Sequence, residues 1–139
     1  MKILILHGPN LNLLGQRETM IYGSNTQNEL FDYIKTHFPE IDFSFFQSNH
    51  EGKIIDKIHE SFMFNALIIN PGAFAHYSYA IRDAIAAINL PSIEVHLSDI
   101  FNREDFRKNL VMSDVCKATI SGKGIDGYIE AVNKIKDIL

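Results

Sequence analysis

Glu94, His96 and Ser98 stand at every second position of the stretch SIEVHLS. In an extended strand alternate side chains share one face, so these three polar groups line up together. A carboxylate two residues from a histidine on one face orients the imidazole and holds its protonated form, the arrangement of a general acid. The alternative is a buried Glu–His pair that only satisfies itself. The neighbours favour chemistry. The chain has only four arginines, Arg17, Arg82, Arg103 and Arg107, and two of them follow this strand directly. In a protein of net charge −4, arginines gathered near one edge suit an anionic substrate such as a carboxylate. Arg82 and Arg103 are expected in ordinary surface ion pairs.

A second pair lies in the opening loop, GPNLNLLGQRETMIYG, residues 8–23. A glycine-, proline- and asparagine-rich segment after an apolar strand often wraps a phosphate, but this one has no lysine. It has Arg17 and Tyr22. A phenol ordinarily ionises near pH 10, too high for a base near neutrality, and a guanidinium close by favours the phenolate. Arg17 is the only cation in the loop that can do so.

Two other motifs compete. Gly122-Lys123-Gly124-Ile125-Asp126-Gly127 fits G-x-G-x-x-G, but only 12 residues follow it, too few for the further strand and acidic residue of a dinucleotide site. A plain turn opening the last helix is the better reading. Six histidines raise the question of a metal. None pairs at i, i+4 on a helix or flanks a cysteine, although His50, His76 and His96 lie at the end of the sheet where the polar loops gather and can converge. His37 and His59 are expected at the surface, and His7 packed and hydrogen-bonded.

The elements that must position these groups alternate strictly. Strands are expected at 2–7, 41–47, 66–69, 92–97 and 117–121. A first helix follows Thr26 and Glu29, spaced as a capping box, with Leu30, Ile34 and Phe38 as its apolar stripe. Ile54, Ile55, Ile58 and Phe62 recur at helical spacing, and further helices are expected at 79–88, 103–109 and 125–138. Such alternation implies a parallel sheet covered on both faces: an α/β, flavodoxin-like, doubly wound five-stranded sheet forming a single domain over residues 1–139. Ligands of such sheets bind at the carboxyl ends of the strands, where the unusual polar residues of this chain cluster.

Composition is ordinary for a globular chain, with 46% apolar and 22% charged residues. No apolar run is long enough to span a bilayer, no basic run suggests nucleic acid, and the lone Cys116 fits a reducing compartment, so a cytoplasmic protein is expected.

Five blocks carry a resemblance: GPNLNLLGQRETMIYG, FFQSNHEG, INPGAFAHYSYAIRDA, IEVHLSDIFNREDFR and GKGIDGY. In order and spacing the chain resembles the type II 3-dehydroquinate dehydratases over essentially its whole length. The resemblance implies a cofactor-free, metal-free hydro-lyase of the shikimate pathway, a dodecamer built as a tetramer of trimers, with 3-dehydroquinate as substrate. It implies Tyr22 as the base that removes a proton alpha to the ketone, with Arg17 activating it. Asn12 would hold a water that stabilises the enolate. His96 would protonate the departing hydroxyl, oriented by Glu94. Asn70, His76 and Arg107 would bind substrate hydroxyls, Leu97 (through its backbone) and Ser98 the carboxylate. Asp83 would reach a neighbouring subunit's site. The chain departs from the family pattern at Thr19, Tyr77, Tyr79, Asp99, Leu110 and Lys123, which bears on subunit packing and substrate affinity rather than on the reaction. The competing reading is a flavodoxin-like nucleotide- or flavin-binding module, which wants a hydroxyl-rich phosphate loop that GPNLN does not supply.

Overall fold

A computed structural model describes all 139 residues, Met1–Leu139. In chain order the elements are β1 (Lys2–His7), the one-turn α1 (Thr19–Tyr22), α2 (Gln27–His37), β2 (Asp42–Gln47), α3 (Glu51–His59), β3 (Ala66–Asn70), α4 (Tyr79–Ala87), β4 (Ser92–His96), β5 (Ala118–Ser121) and α5 (Asp126–Ile138). The strands form one sheet in the order β2-β1-β3-β4-β5, every neighbouring pair parallel. This is the flavodoxin-like doubly wound order.

The alternation of side chains across β1 explains the layers. Ile3 and Ile5 face the core closed by α2 and α5, where Leu30, Ile34, Val132 and Ile135 pack. Leu4 and Leu6 face the opposite core, closed by Ile54 and Ile58 of α3 and Ile81 and Ile85 of α4. All four β1 side chains are fully buried, which is why a strand with helices on both sides is continuously apolar. The capping box of α2 forms as its spacing predicts: Thr26 Oγ1 accepts from the Glu29 backbone at 3.1 Å, and the Glu29 carboxylate accepts from the Thr26 backbone at 3.3 Å.

Two expectations fail locally. Phe62 does not continue the stripe of α3; the helix stops at His59, a 3₁₀ turn (Ser61–Met63) follows, and Phe62 is 83% exposed. The change from 3.6 to three residues per turn rotates it off the buried face. No α-helix forms at 103–109. Two 3₁₀ turns, Ile100–Asn102 and Asp105–Lys108, take its place, separated by extended backbone at Arg103 and Glu104.

The chain leaves β1 for β2 on one side of the sheet and leaves β3 for β4 on the other. The crevice between the carboxyl ends of β1 and β3 is therefore the switch point. Here the backbone of Gly8 donates to the Asn70 carbonyl at 2.8 Å, and a Cβ on Gly8 would overlap the Pro71 carbonyl. The two loops touch backbone to backbone, and only glycine permits it. Just before it, His7 is fully buried with Nδ1 2.8 Å from Gln27 Oε1. Burial pushes its pKa down from 6.5 to about 4, the hydrogen bond to Gln27 opposing the shift.

Two outcomes are expected. Gly8→Ala should destabilise the fold by about 1–3 kcal/mol or more in urea titration, since backbone rather than a side chain must move. The second concerns acid. The unfolded chain protonates His7 near 6.5 while the folded chain does not until about 4, so its contribution is complete above the first value and is lost as pH falls toward the second. The loss amounts to at most roughly 3 kcal/mol. The His7 ring resonances should stay unchanged on acidification until pH approaches about 4, with stability declining before they move.

Candidate active site

Above that switch point lies an open cleft of about 140 Å³, lined by loops from the carboxyl ends of the strands. Of the residues expected to act, Arg17, Tyr22, Asn70, His76, His96, Leu97, Ser98 and Arg107 line it. Asn12, Asp83 and Glu94 do not.

Glu94 and His96 do share one face of β4. Glu94 is fully buried, and its Oε1 lies 2.7 Å from His96 Nε2. The second carboxylate oxygen accepts from Ser113 Oγ at 2.8 Å, with Thr119 Oγ1 3.4 Å away. No oxygen of this buried charge is left unpartnered, as burial of a carboxylate requires. With Nε2 committed to Glu94, Nδ1 is the His96 nitrogen left for a ligand.

His76 lies beside it, the two rings stacked with centroids 6.4 Å apart. His76 Nδ1 is 3.0 Å from the Asn109 carbonyl, which can only accept, so Nδ1 carries the proton and a neutral ring offers an Nε2 lone pair. Burial lowers the His76 pKa, and the neighbouring His96 and Arg107 charges lower it further against the Asn109 hydrogen bond. Two adjacent histidines thus have different surroundings, one paired with a carboxylate and one kept neutral.

Across the cleft the guanidinium of Arg17 lies over the Tyr22 ring, 3.9 Å from its centroid. The one-turn α1, held by Tyr22 and Gly23 amides donating to Glu18 and Thr19 carbonyls, brings the pair together. Arg103 contacts the same ring at 5.1 Å and donates to Ser98 Oγ at 3.2 Å. Its expected ion pair forms, with the exposed Glu104 at 3.8 Å, but its side chain is only 16% exposed and also lines the cleft wall. No sequence spacing signals this, because extended backbone at Arg103 turns it inward. Arg82 does form the expected surface pairs, with Asp83 and Asp114. Arg107 lines the cleft while donating to Glu104 at 2.7 Å.

The Asn12 side chain is exposed and its nearest partner is Gln47 Nε2 at 3.4 Å. Asn10 lines the cleft instead, in left-handed backbone with φ 68°, the one non-glycine residue so placed. Asp83 is exposed on α4 and bonded to Arg82, away from the cleft. The Gly122–Gly124 turn is structural: the Gly122 and Gly124 amides donate to the Ser98 and Leu97 carbonyls, bracing the loop after β4. No three histidine, cysteine, aspartate or glutamate side chains stand close enough to share a metal ion, and His50 is exposed outside the cleft. Cys116 is held as a thiol, its pKa pushed up to about 12 by burial and then by Glu94 and Asp114.

No helix is long and apolar enough to cross a membrane. The family model described as dehydroquinase class II matches residues 1–136. A 3-dehydroquinate dehydratase of Caldicellulosiruptor saccharolyticus is 54% identical, the match covering 99% of this chain and 98% of that one. A Thermotoga maritima protein of the same name is 48% identical over 98% and 95%. The crystal structure of a type II dehydroquinase from Butyrivibrio crossotus superposes with a TM-score of 0.95 at 46% identity, covering 98% of this chain and 97% of that one. Sequence and backbone thus agree along the whole length, and the chain belongs to the class II dehydroquinase family.

Proposed function

We propose that this protein dehydrates 3-dehydroquinate to 3-dehydroshikimate in the shikimate pathway, through an enolate, using only its own side chains. The observation that carries the reading is the meeting of two acid–base pairs, Arg17–Tyr22 and Glu94–His96, at one cleft. Tyr22, as phenolate, takes the proton alpha to the ketone, and the electron pair moves onto the carbonyl oxygen. Arg17 and Arg103 supply positive charge beside the phenol where its anion forms. The enolate then collapses and expels the beta hydroxyl, which takes a proton from His96 Nδ1 and leaves as water. The buried Glu94 carboxylate orients that imidazole and balances its charge. The reaction needs one group deprotonated and the other protonated, and the two pairs make separate contacts on opposite walls of the cleft.

The neutral His76 accepts from a substrate hydroxyl, Asn70 and Arg107 hold others, and Ser98 with the Leu97 backbone takes the carboxylate beside Arg103. The enolate water assigned to Asn12 requires its exposed side chain to turn inward as the loop closes over substrate. The exposure of Tyr77, Tyr79 and Asp83 supports assembly, since all three lie on or beside α4. In the proposed tetramer of trimers Asp83 would reach a neighbour's cleft. A cytoplasmic site of action goes with this reading.

Adding 3-dehydroquinate to the purified protein should produce the ultraviolet absorption of a conjugated enone, and its absence from folded protein would overturn the assignment. Activity should survive dialysis against a chelator and treatment with borohydride and substrate, since neither a metal nor a lysine Schiff base takes part. Tyr22→Phe should lower kcat by about 10²–10⁴-fold with product binding retained, the range for loss of a positioned base. Near-normal turnover would remove Tyr22 from that role.

A further inference from the structure

Beneath the cleft four side chains join end to end. Gln27 Oε1 is 2.8 Å from His7 Nδ1, His7 Nε2 is 2.8 Å from Tyr128 Oη, and Tyr128 Oη is 3.1 Å from Asn70 Nδ2. His7 and Tyr128 are fully buried, and Asn70 lines the cleft with 4% of its surface exposed. The catalytic steps use neither His7 nor Tyr128. A buried histidine and tyrosine placed directly under a ligand site call for a reason.

The direction of every bond in the chain follows from one backbone group. The Gly72 amide donates to Asn70 Oδ1 at 3.2 Å, and a backbone N–H can only donate. Asn70 Oδ1 therefore faces Gly72, and its Nδ2 faces Tyr128. The Tyr128 oxygen accepts from Nδ2, so its own proton has to go to His7 Nε2. That nitrogen must be unprotonated, which leaves the proton of a neutral ring on Nδ1, donating to Gln27 Oε1. With the opposite His7 tautomer the Tyr128 oxygen would accept twice and its own buried proton would be left without an acceptor. The second hydrogen of Asn70 Nδ2 is then the one polar hydrogen the amide can offer the cleft.

We propose that Tyr128 and His7 are positioning residues that lock the Asn70 amide so that it presents a hydrogen-bond donor to the substrate. The inference rests on the reading of Asn70 as a substrate-binding residue. Three further features fit it. The His7 ring is neutral far below neutral pH, with its pKa lowered to about 4 mainly by burial. Burial raises the Tyr128 pKa, so its hydroxyl keeps its proton. The chain is anchored on rigid elements, since His7 ends β1, Asn70 ends β3 and Tyr128 lies in the first turns of α5. Neither residue touches the reacting atoms; both act through Asn70.

The tautomer can be read directly on the wild-type protein. Long-range proton–nitrogen correlation with ¹⁵N-labelled histidine should find His7 protonated on Nδ1 and bare on Nε2 at neutral pH. The opposite tautomer overturns the proposal, and this measurement stands even if a variant fails to fold. Tyr128→Phe removes the hydroxyl and frees the Asn70 amide. It should raise KM by about tenfold with kcat within about threefold of wild type, as loss of one oriented binding contact does. An unchanged KM with a reduced active fraction would mean a packing role only and would overturn it. In an Asn70→Ala background Tyr128→Phe should add nothing, because its effect passes through Asn70. If Asn70→Ala itself leaves KM unchanged, the reading of Asn70 as a binding residue fails and the inference with it. If Asn70→Ala weakens binding but the two effects simply add, only the positioning role fails.

Discussion

A fully buried carboxylate governs this structure. Glu94 sits at 0% exposure in the middle of a parallel sheet, where an unpaired charge would cost several kcal/mol. Its environment therefore has to be assembled around it. His96 comes from the same strand, Thr119 from β5, and Ser113 from the 3₁₀ turn (Ser113–Val115) between β4 and β5. One charge thus ties an edge strand and its connection to a central strand. It also fixes which nitrogen of His96 is left for a ligand, so a requirement of stability and a requirement of chemistry are met by the same contacts.

The cleft has two unlike walls. The wall carrying His76 and His96 is buried, stacked and bonded to backbone at Asn109. The wall carrying Arg17 and Tyr22 is a loop with a single helical turn, largely exposed, with Met20 at 98% exposure at its tip. Residues with few buried contacts open at low free energy, and loops over active sites are drawn from this class. On the proposed roles, a rigid acid would face a movable base, as suits a reaction whose substrate enters from water and reacts away from it. Arg103, reaching from the rigid wall to the Tyr22 ring, links the two.

Thr19 begins the helical turn in the opening loop, and Asp99 packs against Gly122 and bonds to Asn102. Lys123 pairs with Glu130 on α5. Tyr77 and Tyr79 are exposed. None of these side chains takes part in the Glu94–His96 or Arg17–Tyr22 contacts. Lys123, between the two glycines of a turn that superficially fits a nucleotide fingerprint, is held at the surface by its ion pair. The turn itself serves to brace Leu97 and Ser98 through their carbonyls.

By itself the sequence determined the sheet, its burial on both faces, the capping box of α2 and the edge at which polar residues would gather. Those follow from periodicity and local hydrogen bonding, which depend on near neighbours. Glu94 with His96, and Arg17 with Tyr22, were legible for the same reason: each pair is local, joined by strand alternation or by one turn of helix. What only the tertiary structure decided involves groups far apart in the chain or backbone that departs from regular periods. Arg103 enters the cleft because extended backbone turns it there. Asn10 rather than Asn12 faces the cleft because a left-handed residue reverses the loop. His7, Asn70 and Tyr128 meet because β1, β3 and α5 are brought side by side. No spacing along the chain encodes a contact between residues 7 and 128, and only packing of the finished sheet creates it.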